Sequence, residues 1–252
     1  MSLLFELASD VAKLGLFVAC AYVALNAWSR RRRPQWTEPL AQRRFAVLGI
    51  LTLVVSAIKV IEDVVAKESG VVDEAILWFV RDHVPAALGG FFNAVTLSGS
   101  ARVLLPIAFL ATVVLLVFRR GFEAFLLGFS AATAPLLVYA LKTLVGRARP
   151  ALWETQWYWG SSFPSGHTLS TAAFSTAAAL CVARIRPRYG NLAMAVAIAW
   201  TGLVALSRLV LGVHWPSDVL AAICLGAFIP LLSSVAFDLH RGKPGTVDQA
   251  AR

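Results

Sequence analysis

Apolar runs recur along this chain from about residue 8 to residue 238, and that recurrence constrains its fold more than any other feature. Seven can be drawn, at 8–28, 44–64, 101–118, 122–141, 167–184, 191–210 and 218–238. Each is close to the length a helix needs to cross roughly 30 Å of hydrocarbon. A lipid-exposed segment must close its backbone hydrogen bonds within itself, which makes helices the default. Charged residues are only 15% of the chain, against about a quarter in a soluble domain, too few to cover a water-facing surface. A cleavable signal peptide would account for one such run, not for runs from end to end. The expected fold class is all-α, a polytopic transmembrane helix bundle.

The runs differ in character. Glu6, Asp10 and Lys13 shorten the first, which is expected to start at the interface. The fourth contains Gly128 and Pro135, which can kink a spanning helix without interrupting it. The fifth is rich in Ala, Ser and Thr, small residues that let helices approach closely.

Net charge is +9, but the basic residues form no stripe of the kind that binds nucleic acid, so nucleic acid is not an expected partner. They cluster in short loops: Arg30 to Arg33 with Arg43 and Arg44, then Arg119 and Arg120, then Arg184, Arg186 and Arg188, then His240, Arg241 and Lys243. If all seven runs span, every cluster falls on one side, and the positive-inside rule makes that side cytoplasmic. Residues 65–100, 142–166 and 211–217 then face the other side. Cys20, Cys181 and Cys224 lie inside apolar runs without metal-ligand spacing and read as buried small hydrophobes. Residues 73–92 mix polar and apolar types as an amphipathic helix at the outer interface would. Trp153, Trp157, Tyr158 and Trp159 read as a headgroup-belt anchor, compatible with a wall for a lipid substrate. The charged tail after 238 reads as unpacked.

Three polar islands break the apolar pattern, all on the non-cytoplasmic side. The first runs from Lys142 through Arg147 to Arg149-Pro150, the second is Pro164-Ser165-Gly166-His167, and the third holds Ser207, Arg208, His214 and Asp218. Arg149 offers a fork of donors suited to a tetrahedral anion, although interfacial charge alone also explains this island. Ser165 and Gly166 open a helix, where unpaired N–H groups and partial positive charge suit phosphate oxygens; a plain N-cap at Ser165 is the simpler alternative. Asp218, four residues after His214, either complements the dipole of the seventh helix or accepts a proton from one imidazole nitrogen and aims the other outward, as in nucleophilic catalysis. Cations and histidines at the rim of an apolar bundle point to chemistry on a lipid-borne phosphate.

The islands resemble the three-part signature of the type 2 phosphatidic acid phosphatase (PAP2) superfamily: Lys, six residues, Arg-Pro; Pro-Ser-Gly-His; and Ser-Arg, five residues, His, three residues, Asp. Lys142/Arg149/Pro150, Pro164 to His167 and Ser207/Arg208/His214/Asp218 meet it without departure. The resemblance covers residues 44–238 and implies a six-helix core, with the first helix additional: residues 1–43 as an N-terminal helix and basic loop, 44–238 as the catalytic domain, 239–252 as a cytoplasmic tail. It implies that His214 attacks phosphorus and forms a phosphohistidine, that Asp218 orients it, and that His167 protonates the leaving oxygen and later activates water. Lys142, Arg149, Ser165, Gly166 and Arg208 would hold the phosphoryl oxygens. No metal or other cofactor is expected, because three cations can stabilise the transferring group.

The expected function is therefore a metal-independent lipid phosphatase in a bacterial inner membrane, its site facing the periplasm or exterior. Undecaprenyl pyrophosphate, phosphatidylglycerol phosphate and phosphatidate are candidate substrates. A lipid phosphotransferase using the same intermediate, and a non-enzymatic lipid transporter, stand as alternatives.

Overall fold

The structure is a computed structural model that describes the backbone of residues 2–155 and 160–241 and the side chains of 9–155 and 160–240. Trp157, Tyr158, Trp159 and the tail beyond 241 lie outside the described residues. The helices are α1 (Ser2–Arg32), α2 (Thr37–Gln42), α3 (Arg44–Val65), α4 (Gly70–His83), α5 (Gly89–Ser98), α6 (Ala101–Val117), α7 (Gly121–Val145), α8 (Gly166–Ile185), α9 (Gly190–Val210) and α10 (Pro216–Arg241). Among the described residues, six segments are long and apolar enough to cross a membrane: Ser9–Arg32, Arg44–Val65, Gly121–Val145, Gly166–Ile185, Pro187–Val210 and Pro216–His240.

The remaining expected span, at 101–118, belongs to a bent pair. α6 has 17 residues and meets the preceding segment Ala86–Ser98 at 41°; together they are long and apolar enough to cross. The 73–92 segment is likewise two helices, because Val84 and Pro85 take extended conformations that end α4 before α5 begins. α7 runs through Pro135 without a break.

The chain divides into two compact units, residues 1–55 with 231–252, and residues 56–230. In the first, Arg43 pairs with Asp238 at 2.7 Å, and Trp36 packs between Trp28 and His240. The second unit carries all three polar islands, and α8 is its most buried helix. Ala173, Ala177 and Leu169 on α8 pack against Leu126, Leu127 and Ala134 of α7 and Ala222 of α10. Small residues permit this closeness: a Cβ on Gly226 of α10 would lie 2.4 Å from the Leu169 carbonyl oxygen and 2.7 Å from Ala172 Cβ. Toward α9, Ser175 and Thr201 share a hydroxyl hydrogen bond of 3.0 Å.

Contacts at the two ends of this unit give the direction of each helix. Glu123, at the start of α7, lies beside Arg184 and Cys181 at the end of α8. Residues just after α3 and α7 meet one another at the opposite end, where α8 and α10 begin. α5 also reaches that end, since Thr96 contacts Arg208. α6 therefore makes the return journey between the ends, and its 17 residues cover about 25 Å at 1.5 Å each.

Candidate active site

α7 stops at Gly146, whose φ of 62° places it in the left-handed region and whose N–H donates to the Lys142 carbonyl at 3.2 Å. This glycine C-cap leaves Lys142 in the last turn and throws Arg147 and Arg149 onto extended chain. Lys142 Nζ donates to the Ser161 carbonyl, and the charges acting on it include Arg149, Asp218 and Arg208. Arg149 donates from Nη1 to the Val213 carbonyl at 2.8 Å and from Nε to the Gly160 carbonyl at 3.2 Å, and its Nη1 lies 3.4 Å from His214 Nε2. The first and third islands thus meet across a guanidinium and an imidazole 65 residues apart.

The second island joins them through the backbone: Ser165 N–H donates to the Asp218 carbonyl at 3.2 Å. Ser165 Oγ bonds the Thr168 hydroxyl at 2.9 Å and makes no capping bond to a backbone N–H. Gly166 opens α8, where first-turn N–H groups have no partner inside the helix. His167 follows it, half-buried, among the charges of Arg208, His214, Arg149 and Lys142. Arg208 is 1% exposed and donates to Thr96 Oγ1 at 2.7 Å.

His214 is 2% exposed and sits between α9 and α10. Its Nδ1 lies 3.5 Å from Asp218 Oδ2, facing that carboxylate without completing a hydrogen bond to it. A carboxylate on the Nδ1 side and a guanidinium donor on the Nε2 side assign the proton to Nδ1 and the lone pair to Nε2. Burial lowers the His214 pKa to about 4; Asp218 opposes that shift, and Arg208 and Arg149 add to it. The ring is neutral at pH 7, so its lone pair is available. Asp218 Oδ2 also accepts the Trp215 N–H at 2.9 Å, the reach from third helical position back to the N-cap that forms half of a capping box. One oxygen faces both the helix start and the imidazole, so the two sequence readings of this residue do not exclude one another.

Sequence reasoning noted Arg147 and Asp73 without giving them a place in the site. Arg147 donates from Nη1 to Asp218 Oδ1 at 2.8 Å and Ser217 Oγ at 2.7 Å, and from Nη2 to Asp73 Oδ2 at 2.7 Å and Ser69 Oγ at 3.0 Å. Asp73 is 2% exposed and also accepts the Ser217 N–H at 2.8 Å, serving the start of α10 from another helix. Thr96 was missed too. Trp153 lies against Gly212, whose φ is +65° and whose Cβ, if present, would come within 2.7 Å of the indole ring. Arg81 stacks on that ring at 4.6 Å, and Trp78 packs 5.4 Å away. The wall reading of Trp153 thus has a fixed position beside the His214 loop.

The sequence profile of the PAP2 superfamily matches residues 123–240, a stretch that contains all eight site residues expected from the islands. A decaprenylphosphoryl-5-phosphoribose phosphatase from Mycobacterium tuberculosis is 34% identical over 130 residues, 50% of this chain and 68% of the relative. The chain belongs to the PAP2 superfamily. A lipid A 1-phosphatase from Rhizobium johnstonii is 36% identical over 119 residues, 43% of this chain; the match spans 46% of that relative, a little under half its length. The crystal structure of a transmembrane PAP2-type phosphatidylglycerolphosphate phosphatase from Bacillus subtilis superposes with a TM-score of 0.66 at 26% identity, covering 79% of this chain and 98% of that one. With its candidate spans, this PAP2 chain is a multi-pass membrane protein. Asp73 and Thr96 lie outside the stretch matched by the profile.

Proposed function

We propose that the chain is a lipid phosphatase of a bacterial inner membrane, with residues 44–238 as its catalytic domain, acting on a phosphomonoester or pyrophosphate carried by a lipid. The observation that carries this is His214, backed by Asp218 at Nδ1 and facing Arg149 at Nε2. A phosphoryl group held by Arg149 lies on the side of the lone pair that attacks it.

In the first step His214 Nε2 forms a bond to phosphorus, the bond from phosphorus to the lipid oxygen breaks, and His167 gives that oxygen its proton. In the second, His167 takes a proton from water, the water oxygen bonds phosphorus, and the N–P bond breaks to release inorganic phosphate. Lys142, Arg149, Arg208, Ser165 and the Gly166 N–H oppose the charge gathering on the phosphoryl oxygens. Asp218 keeps the proton on Nδ1 throughout. Relatives named for lipid A, a decaprenyl phosphosugar and phosphatidylglycerophosphate support lipid-borne phosphate as the substrate class. Lipid A 1-phosphate therefore joins undecaprenyl pyrophosphate, phosphatidylglycerol phosphate and phosphatidate as candidates.

Detergent-solubilised protein should release phosphate from several of these lipids in excess EDTA, and His214→Ala should not. Turnover lost on chelation and restored by Mg²⁺ or Zn²⁺ would overturn the histidine mechanism. Label passing from the donor to a second lipid, with no free phosphate, would overturn hydrolysis in favour of phosphotransfer.

A further inference from the structure

We propose that Asp73 and Arg147 are positioning residues that hold the Asp218 carboxylate in the orientation from which it backs His214. The proposal rests on the phosphohistidine reading above. Asp218 is fully buried and its two oxygens have separate tasks: Oδ1 takes Arg147, while Oδ2 takes the Trp215 N–H and faces His214. A quarter-turn of that carboxylate about its own axis would carry both oxygens off these partners and remove the acceptor from Nδ1.

Arg147 opposes the turn only if its own fork is held, and it is. Its second nitrogen is bound by Asp73 and Ser69, and Asp73 is fixed by two bonds from Ser217, through N–H at 2.8 Å and Oγ at 2.6 Å. Ser217 Oγ in turn accepts from Arg147 Nη1. The result is a closed ring of Asp73, Arg147 and Ser217 beside Asp218, reaching the start of α10 from the start of α4. Fork-shaped pairing of this kind fixes geometry as well as charge.

The same contacts separate Arg147 from Arg149, which the sequence shows as two arginines in one island. Both terminal nitrogens of Arg147 point at carboxylates. Arg149 donates to backbone carbonyls and faces the imidazole nitrogen proposed to attack. A residue that binds phosphate should change KM when altered; one that acts through Asp218 should change the rate of phosphorylation.

The test uses the full chain in detergent with phosphatidate micelles, reading KM and the rapid-quench rate of phosphoenzyme formation for R147K, R147Q, D73N and R147Q/D73N. R147Q should slow phosphorylation by about 10- to 100-fold, short of the roughly 10⁴-fold loss known when a triad aspartate is itself replaced, with KM within about threefold of wild type. D73N should slow it less, and the double variant should be no slower than R147Q, because residues acting through one group are not additive. R147K should recover part of the rate. R147Q alone leaves two buried carboxylates without their counter-charge; if it does not fold, R147K and the double variant carry the comparison. A KM that rises in step with the loss of rate, an additive double variant, or wild-type rates throughout would overturn the proposal. A wild-type protein that forms no phosphoenzyme with any of the candidate lipids overturns the parent reading instead.

Discussion

The two histidines should fail differently when removed. His214→Ala should abolish phosphoenzyme and turnover together. His167→Ala should lose roughly 10²–10⁴-fold on a lipid monoester, the usual scale for a positioned general acid, and less on p-nitrophenyl phosphate, whose leaving oxygen needs little protonation. Rapid-quench trapping of acid-labile, base-stable phosphoprotein checks both, and label retained in His214→Ala but lost in His167→Ala reverses the roles. The His214 pKa of about 4 carries its own prediction. A ring depressed from 6.5 stays neutral as pH falls, so phosphorylation, corrected for the substrate's own ionisation, should hold to about pH 5 and fall near pH 4. A midpoint near 6.5 contradicts it. The sign for stability is the same: between 6.5 and about 4 the unfolded chain binds a proton that the folded ring refuses, so stability declines as pH falls through that window. Melting curves of wild type against His214→Gln at pH 7 and pH 4.5 should show the larger drop in wild type.

At the scale of elements, what the sequence made legible depended on distance along the chain. Lys142 with Arg149, Ser165 with His167, and His214 with Asp218 sit within one or two turns of each other, so residue type and spacing expose them. Ser217 meets Asp73 from 144 residues away and Arg208 meets Thr96 from 112. No local pattern marks such partners, and Asp73 reads as one polar residue of an amphipathic stretch. The break between α5 and α6 falls at Ser98-Gly99-Ser100, where the expected span begins, but nothing local shows that the helix before it belongs with that span. Packing between elements gives a further prediction. Gly226→Ala forces a methyl against the Leu169 carbonyl at 2.4 Å, where overpacking costs about 1–3 kcal/mol. Thermal melting in detergent should show the loss, and Gly202→Ala, with open space around it, should show none.

At the scale of the whole molecule, the return made by α6 puts Arg119 and Arg120 at the same end of the second unit as Arg184. Were α6 not to cross, Arg119 and Arg120 would part company with Arg184, Arg186 and Arg188, although Glu123 and Arg184 are neighbours. On the orientation proposed from the positive-inside rule, these arginines face the cytoplasm and the site the opposite side. A reporter active only in the periplasm should therefore work when inserted in the 142–166 loop and be silent when fused after residue 240; the opposite pattern reverses the orientation and the route by which substrate arrives. The hydrogen bond from Ser165 to Asp218 has a mechanical meaning on this scale. Bilayers that thin or thicken make helices tilt, and two helices tied at their first turns pivot about the tie while their far ends splay. His167 and His214 lie two and four residues from the tied positions, so the gap between the rings should change little as the far ends move. Cleavage of a short-chain, water-soluble substrate should proceed at nearly equal rates in vesicles of thin and thick lipid, whereas long-chain substrates held in the bilayer should register the difference.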